Sequence, residues 1–515
     1  MPAAIRPEDA FGMVDIIAHH AAFTPHKLAC RDLTSGLTLS YRGFDARIDR
    51  LAALLEQRLG DPAGQRVALL AYNCVDTLTL QHACVRLGAI FVPLNWRLAP
   101  AELKVLAEDC DPALIVFDGA FAETAQALGV DQGLSLDEGF DAALAAAPQK
   151  PVRARRSHPD EPSTLLYTSG TTGRSKGVII TERNAFASAL HFSQNSQLNA
   201  DSVFLCEMPL FHVAGLLAAG RGPFFQGGAI LIGQRFEPEL ALKRIADPDL
   251  GVTHIFYVAQ MTQTLRESPS FRPEIFRNIR ALVTGGAPNP AANIRRWADA
   301  GVNMIDGFGM TEVGTAFAIP MGDLELIKAK AGSAGLPSLL LRTRLVGDDG
   351  QEINEPGVPG EIRMKGPNVT PGYWKQPEAT AKAFDEDGWF RSGDIATRDK
   401  DGFYYLVDRL KDMFVSGGEN VYPAEVENVI AELDAVSESA VIAMPDDQWG
   451  EVGLAYVVPV PGADVDPQAV IDHCRARLAR YKAPKKVVIA ESLPRTASGK
   501  LQKNILRERL AKADA

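Results

Sequence analysis

Tyr167-Thr-Ser-Gly-Thr-Thr-Gly-Arg-Ser-Lys-Gly-Val178 is the stretch on which the reading of this chain turns. It lies between apolar runs at 165–167 and 178–180, so it reads as a loop joining two strands. Gly170 and Gly173 let the backbone bend tightly and expose bare N–H groups. Thr168, Ser169, Thr171 and Thr172 add hydroxyl donors, and Lys176 adds a point charge. So many donors without one carboxylate suit a polyphosphate. A Walker A loop would place glycine directly before its lysine, and Ser175 stands there instead. The competing reading is a plain Ser/Thr/Gly surface turn, and the uniform chemistry of the run weighs against it.

On the N-terminal side, Phe44, Ile48, Leu51, Leu54 and Leu55 recur at helical spacing. A helix over 77–87 and a buried strand over 89–92 follow, then a short strand at 114–118. Beyond the loop, strands are expected at 229–232, 254–257 and 281–284, each with a helical stretch behind it. Such alternation predicts an α/β fold with largely parallel sheets. From about Gly335 the texture changes to short strands at 342–346, 360–365 and 402–407, a β-rich unit. A compact α/β segment follows Asp408, with helices near 424–433 and 467–478. The boundary between the two is expected at 409–412.

The whole chain, 515 residues with 46% hydrophobic and 23% charged side chains, has ordinary globular composition and room for several domains. No apolar run is long enough to span a bilayer, and Asp15, His19 and His20 interrupt the apolar stretch near the start, so no signal peptide is expected. Cys30, Cys74, Cys84, Cys110, Cys206 and Cys474 lack paired spacing, which fits a reducing compartment; cytoplasm is the expectation. A net charge of -11 argues against a nucleic-acid surface. Between Arg475 and Lys512, however, twelve Lys/Arg stand against Glu491 and Glu508, a local cation on an acidic body; a solvated helix face is the plainer explanation.

Further motifs follow in order: Met208-Pro-Leu-Phe-His-Val-Ala-Gly215, Leu282-Val-Thr-Gly-Gly-Ala-Pro288, Gly307-Phe-Gly-Met-Thr-Glu312 and Gly388-Trp-Phe-Arg-Ser-Gly-Asp394. Then come Asp408-Arg-Leu-Lys-Asp-Met413, Ser416-Gly-Gly-Glu-Asn420 and Leu493-Pro-Arg-Thr-Ala-Ser-Gly-Lys500. Together they resemble the adenylate-forming superfamily of acyl-CoA synthetases, luciferases and peptide-synthetase adenylation domains. The resemblance implies a large multi-layer N-terminal domain, with two α/β subdomains and a small β-rich unit, and a small mobile α/β C-terminal domain. Residues 1–408 would bind ATP and acid, 409–412 would be the hinge, and 413–515 would carry the catalytic lysine.

Such enzymes join a carboxylate to the α-phosphate of ATP, release pyrophosphate, and pass the acyl group to a nucleophile, commonly coenzyme A. The first step brings two anions together, so charge must be neutralised and the reactants aligned. The resemblance implies that Lys500 reaches the carboxylate and α-phosphate, that Glu312 holds Mg²⁺ with Thr168 contributing, and that Thr311 bonds the α-phosphate. A single carboxylate plus phosphate oxygens suits Mg²⁺; a lone Thr-Glu pair would otherwise be read as a helix start. Phosphates would lie on Thr168, Ser169, Gly170, Thr171, Thr172 and Lys176. Adenine would stack on Phe308 beside Gly307 and Asp306, and Asp306 stands where relatives often have an amide. Asp394 would accept from the ribose hydroxyls, supported by Arg409 from the neighbouring loop. Lys411 would be the hinge and Gly418 would line the pantetheine tunnel.

The resemblance runs the acyl pocket past His212, Tyr257, Gly285, Gly286, Ala287, Gly309 and Val313, with glycines at 285, 286, 309 and 314 leaving a slot. His212 borders the carboxylate in relatives; its apolar neighbours also suit a buried structural histidine. Val258-Ala-Gln260 departs from the proline-threonine pair frequent there. No carboxylate stands ready for an α-ammonium group, which disfavours amino acids. The chain looks closest to bacterial feruloyl- and fatty-acyl-CoA synthetases, with Gly332-Ser-Ala-Gly-Leu-Pro337 among the similar stretches. A hydroxycinnamate-type acid is the first expectation and a medium- or long-chain fatty acid the alternative. A luciferase-like oxygenase and a non-catalytic adenylate-binding protein are rivals of other classes. Partners are therefore a small carboxylic acid, ATP and CoA, and a homodimer is compatible with the resemblance.

Overall fold

The computed structural model describes residues 15–137, 139–148, 159–168, 175–287, 289–347, 349–409, 412–416, 419–446, 449–495 and 501–513. Ser169, Gly170, Thr171, Thr172, Lys411, Gly418 and Lys500 lie outside the described residues, as does the Arg409 side chain.

Among the described residues the strands form four sheets. One runs Gly133–Ser135, Leu114–Phe117, Arg66–Leu70, Ile90–Pro93, Pro162–Thr168, Lys176–Thr181, parallel throughout except for the last, antiparallel pair. A second, nine-stranded sheet has a parallel centre of Ala229–Ile232, Val203–Cys206, His254–Phe256, Ala281–Thr284 and Met304–Met310. Its rims are antiparallel, with Thr38–Ser40 on Leu28–Asp32 at one side and Gly314–Ala318 on Met304–Met310 at the other.

Strand alternation explains the layering. Phe204, Ile230, Phe256, Val283 and Ile305 face the six-stranded sheet and share a core with its Val67, Leu69, Leu166 and Val178. The alternate residues Leu205, Leu231, Ile255, Leu282 and Met304 pack under Trp297 and Phe276 on the opposite face. The helical pattern from Phe44 to Leu55 and the helix expected at 77–87 are present as Tyr41–Leu59 and Val75–Leu87. Ser40 caps the first through its side chain, accepting from the Gly43 N–H at 3.2 Å.

The β-rich unit is an antiparallel sheet, Glu352–Ile353, Arg342–Val346, Gly360–Lys365, Phe390–Arg398, Tyr404–Arg409. The last strand runs two residues beyond the expected 407. Arg409 therefore sits on a strand, its backbone opposite Asp394, and not on a neighbouring loop.

The C-terminal segment builds a sheet of its own around Val436–Asp446 and Gly450–Pro459, covered by helices Pro423–Ile430, Pro467–Arg477 and Lys503–Ala513. One face buries Val426, Ile430, Val441, Val457 and Cys474, and the other buries Ile442, Leu454 and Leu506. Part of the basic run from Arg475 to Lys512 is paired with acids. Arg477 pairs with Glu432, Lys482 with Glu425, Lys485 with Asp446, Arg495 with Glu438, Lys503 with Glu427 and Arg507 with Asp412. The expected local cation is thus offset in part by acids of the same segment.

The six cysteines are free; Cys74 is half-buried and the others are buried. Among the described residues no helix is long and apolar enough to cross a membrane.

Candidate active site

The donor-rich loop springs from the edge hairpin Pro162–Thr168 and Lys176–Thr181. Thr168 faces Lys176 in register, and its hydroxyl donates to the Lys176 carbonyl at 3.4 Å. Tyr167 is tied down from the other side, donating to Asp109 at 2.6 Å. A distant segment closes over the second strand: the Trp374 N–H donates to the Gly177 carbonyl at 2.7 Å and the Ile179 N–H to the Gly372 carbonyl at 3.0 Å. This return places the Tyr373 ring 4.8 Å below Lys176 Nζ. The Tyr373 hydroxyl donates to Glu312 Oε1 at 3.0 Å. Lys176, Tyr373 and Glu312 thus form one contiguous group. Tyr373 was not foreseen: nothing in Pro371-Gly-Tyr-Trp374 signals contact with a loop so far back in the chain.

Glu312 is buried at 9% exposure, in the turn between Met304–Met310 and Gly314–Ala318. Thr311, half-buried, precedes it in the same turn; no helix starts here, which removes the capping interpretation. Phe308 is half-buried and packs at the edge of the β-rich unit's core, its ring 5.9 Å from that of Phe317.

The glycines at 285, 309 and 314 have a backbone reason. A Cβ on Gly309 would lie 2.3 Å from the Gly314 carbonyl oxygen, and one on Gly285 2.8 Å from that of Gly307. Gly314 holds φ +59° with Ser188 Oγ against it. Close strand approach requires glycine at 285 and 309, and the left-handed backbone beside Ser188 requires it at 314. Gly286 is exposed, with nothing within 4 Å of a built Cβ, and Ala287 beside it is half-buried.

Two residues expected in the acyl pocket are core side chains. Val313 is fully buried among Leu341, Ile362 and Met364 of the β-rich unit. Tyr257 is fully buried, its hydroxyl donating to Glu207 and its ring packed on Phe236. Glu207 itself is closed off from solvent and also accepts from Arg244 at 2.5 Å; burial pushes its carboxyl above the usual range. Strand alternation puts Tyr257 on the face opposite Phe256, a choice that spacing alone leaves open.

Asp306, on that same face, is 8% exposed. Its carboxyl accepts from the Thr284 hydroxyl at 3.3 Å and from Asn289, while Gly307 follows at the strand end. With no cation beside it among the described residues, burial pushes this carboxyl up to about 8.

His212 is half-buried, its ring centroid 4.6 Å from that of Phe211. Asn73, nearly buried, clamps the approach to it by donating to the Met208 carbonyl and accepting from the Leu210 N–H, both at 2.9 Å. A π-helical turn, Ala214–Ala219, follows, and such turns recur at functional sites. Asp394 is buried at 6% exposure in the strand Phe390–Arg398.

Among the described residues no three His, Cys, Asp or Glu side chains gather into a metal cage. A divalent ion at Glu312 would take one carboxylate oxygen there and the remainder from phosphates and water. That donor set fits Mg²⁺ and not a structural transition metal.

A family model described as AMP-binding enzyme matches residues 17–374, and one described as AMP-binding enzyme C-terminal domain matches residues 425–500. The chain is 40% identical to a feruloyl-CoA synthase of Amycolatopsis over 95% of its own length and 97% of that protein. It is 34% identical to a long-chain-fatty-acid–CoA ligase of Mycobacterium tuberculosis over 96% and 97%. The crystal structure of ATP-bound MatB from Rhodopseudomonas palustris superposes with a TM-score of 0.88 at 32% identity, covering 96% of this chain and 98% of that one. The chain belongs to the AMP-binding enzymes, the adenylate-forming superfamily.

Proposed function

We propose that this AMP-forming acid–CoA ligase, which uses ATP, Mg²⁺ and CoA, takes a hydroxycinnamate-type aromatic acid as its substrate. The observation that carries the substrate class is the 40% identity to a feruloyl-CoA synthase across almost the full length of both chains. A medium- or long-chain fatty acid is the second reading, favoured by the 34% identity to the mycobacterial ligase.

In this reading the acid's carboxylate oxygen attacks the α-phosphorus of ATP, and pyrophosphate leaves with the electron pair of the broken P–O bond. The thiol of CoA then attacks the acyl carbon and AMP departs. Lys500 bridges the two anions of the first step, where fixed positive charge lowers the barrier. Lys176 and the hydroxyls of the loop hold the outer phosphates, with Thr311 on the α-phosphate. Glu312, with Thr168 nearby, would hold Mg²⁺, which neutralises phosphate charge when bound. Phe308 offers its face to adenine, and Asp394 accepts from the ribose hydroxyls with Arg409 on the adjoining strand. His212 borders the carboxylate, and Gly286 and Ala287 offer the open edge of the acyl site. Residues 1–408 act as the nucleotide- and acid-binding body, 409–412 with Lys411 as the hinge, and 413–515 as the rotating domain whose Gly418 leaves room for pantetheine. The separate cores of the C-terminal sheet support such a division.

The test is a thioester screen with ferulate, 4-coumarate, octanoate and palmitate, read as kcat/KM. Ferulate or 4-coumarate should exceed both fatty acids by at least about tenfold. Fatty acids ahead by that margin would discard the aromatic reading and adopt the second. Oxygen uptake without thioester would mark an oxygenase, and the absence of pyrophosphate exchange with a broad acid panel would mark a binding protein.

A further inference from the structure

We propose that Tyr373 is a positioning residue that holds Lys176 and Glu312 apart, so that the ammonium serves the phosphates and the carboxylate serves Mg²⁺. It deepens the ligase reading above and rests on it.

The argument begins with a hazard. Lys176 and Glu312 carry opposite charges and contact the same residue, and an ion pair between them would satisfy each at the expense of the ligand. No such pair forms in the structure. The Tyr373 ring lies between: its face takes Lys176 Nζ at 4.8 Å from the centroid, and its hydroxyl takes Glu312 Oε1 at 3.0 Å. An aromatic face attracts a cation without neutralising it, and a phenol donates to a carboxylate without cancelling its charge. With Oε1 engaged, the carboxylate cannot spin freely and a cation would take Oε2.

The ring owes its place to backbone on three sides. Tyr373 pairs with Val178 as an antiparallel bridge, and its N–H donates to Thr380 Oγ1 at 3.0 Å. The Trp374 N–H reaches the strand that carries Lys176. The Thr370 N–H donates to the Glu312 carbonyl at 2.7 Å. One short segment therefore touches both the lysine strand and the glutamate turn, and Tyr373 is where its side chain meets the side chains of both.

The experiment uses the full chain and α,β-methylene-ATP, titrated calorimetrically with and without Mg²⁺, beside pyrophosphate exchange at varied Mg²⁺. Tyr373→Phe keeps the ring and loses the hydroxyl. It should bind the metal-free analogue as the wild type does, while the Mg²⁺ needed for half-maximal binding rises roughly tenfold, the worth of one hydrogen bond to a charged group. Tyr373→Leu frees Lys176 to pair with Glu312 and should also weaken the metal-free analogue. Thioester formation from supplied acyl-adenylate should keep its KM for CoA in both variants. An unchanged Mg²⁺ midpoint in Tyr373→Phe overturns the proposal. Equal loss with and without Mg²⁺ in that variant overturns it too, since a merely structural tyrosine would behave so. Should Tyr373→Leu fail to fold, the phenylalanine variant decides alone. A wild-type chain that binds no analogue while well folded would remove the ligase reading, and this proposal with it.

Discussion

Replacing Asp306 by asparagine should stabilise the protein, and increasingly so as pH rises. The carboxyl is buried at the end of Met304–Met310, held by Thr284 and Asn289, with no cation among the described residues to offset its charge. Burial raises it from 3.8 to about 8. A raised acid binds its proton more tightly folded than unfolded. Its contribution is therefore complete below pH 3.8, is lost progressively as pH climbs to about 8, and is constant beyond. Each tenfold gain in proton affinity is worth about 1.4 kcal/mol, so a rise of this extent bounds the loss near ~6 kcal/mol. Relaxation and water entry reduce such penalties, and about 2–3 kcal/mol is the expected remainder. Asparagine keeps an acceptor for Thr284 and Asn289 and cannot ionise. Over a domain of this size, each kcal/mol moves the midpoint by about 2–4 °C. Scanning calorimetry of both proteins at pH 5, 7 and 9 should therefore show the variant gaining at least about 4 °C on the wild type between the first and last. Parallel midpoints at all three pH values would refute the reasoning, because they would mean that Asp306 is solvated or already ionised.

Lys500→Ala should abolish pyrophosphate exchange, by at least about a hundredfold, and spare thioester formation from supplied acyl-adenylate; equal loss in both steps would reject the assigned role. Lys411→Pro should do the converse, slowing the second step by restricting backbone rotation, and unchanged thioester kinetics would count against the hinge. Gly309→Ala forces a methyl to within 2.3 Å of the Gly314 carbonyl, so about 1–3 kcal/mol of stability should be lost. Exchange should also slow as Phe308 and Glu312 move; a wild-type melting curve would show that the hairpin has slack there.

The parallel layers were legible because apolar strands and amphipathic helices alternate plainly from Phe44 to Thr284, and the antiparallel unit because its strands are short and set off by Gly, Pro and Asp. Which face a strand presents was not legible. Tyr257 and Val313 look like plausible wall residues until the neighbouring strand shows them turned into cores. Pairing across long stretches of chain was equally hidden: Arg409 lies on a strand because Tyr404–Arg409 finds Phe390–Arg398, and that partner sets its length. Composition showed only half of the C-terminal charge pattern, since Arg477, Lys482, Lys485, Arg495, Lys503 and Arg507 are answered by acids at Asp412, Glu425, Glu427, Glu432, Glu438 and Asp446. Those acids precede the cations in sequence and meet them only through the sheet.

The segment at Thr370–Trp374 also bears on the order of events during synthesis. Thr370 and Ile179, joined at 2.6 Å, are 191 positions apart. A ribosome that has released Lys176 must therefore still make nearly two hundred residues before this closure can form. Until then the hairpin Pro162–Thr168 and Lys176–Thr181 keeps an unpaired edge, the kind of border along which nascent chains stick to one another. Holding such intermediates is chaperone work, and fragments ending before Gly372 should aggregate more readily than the finished protein.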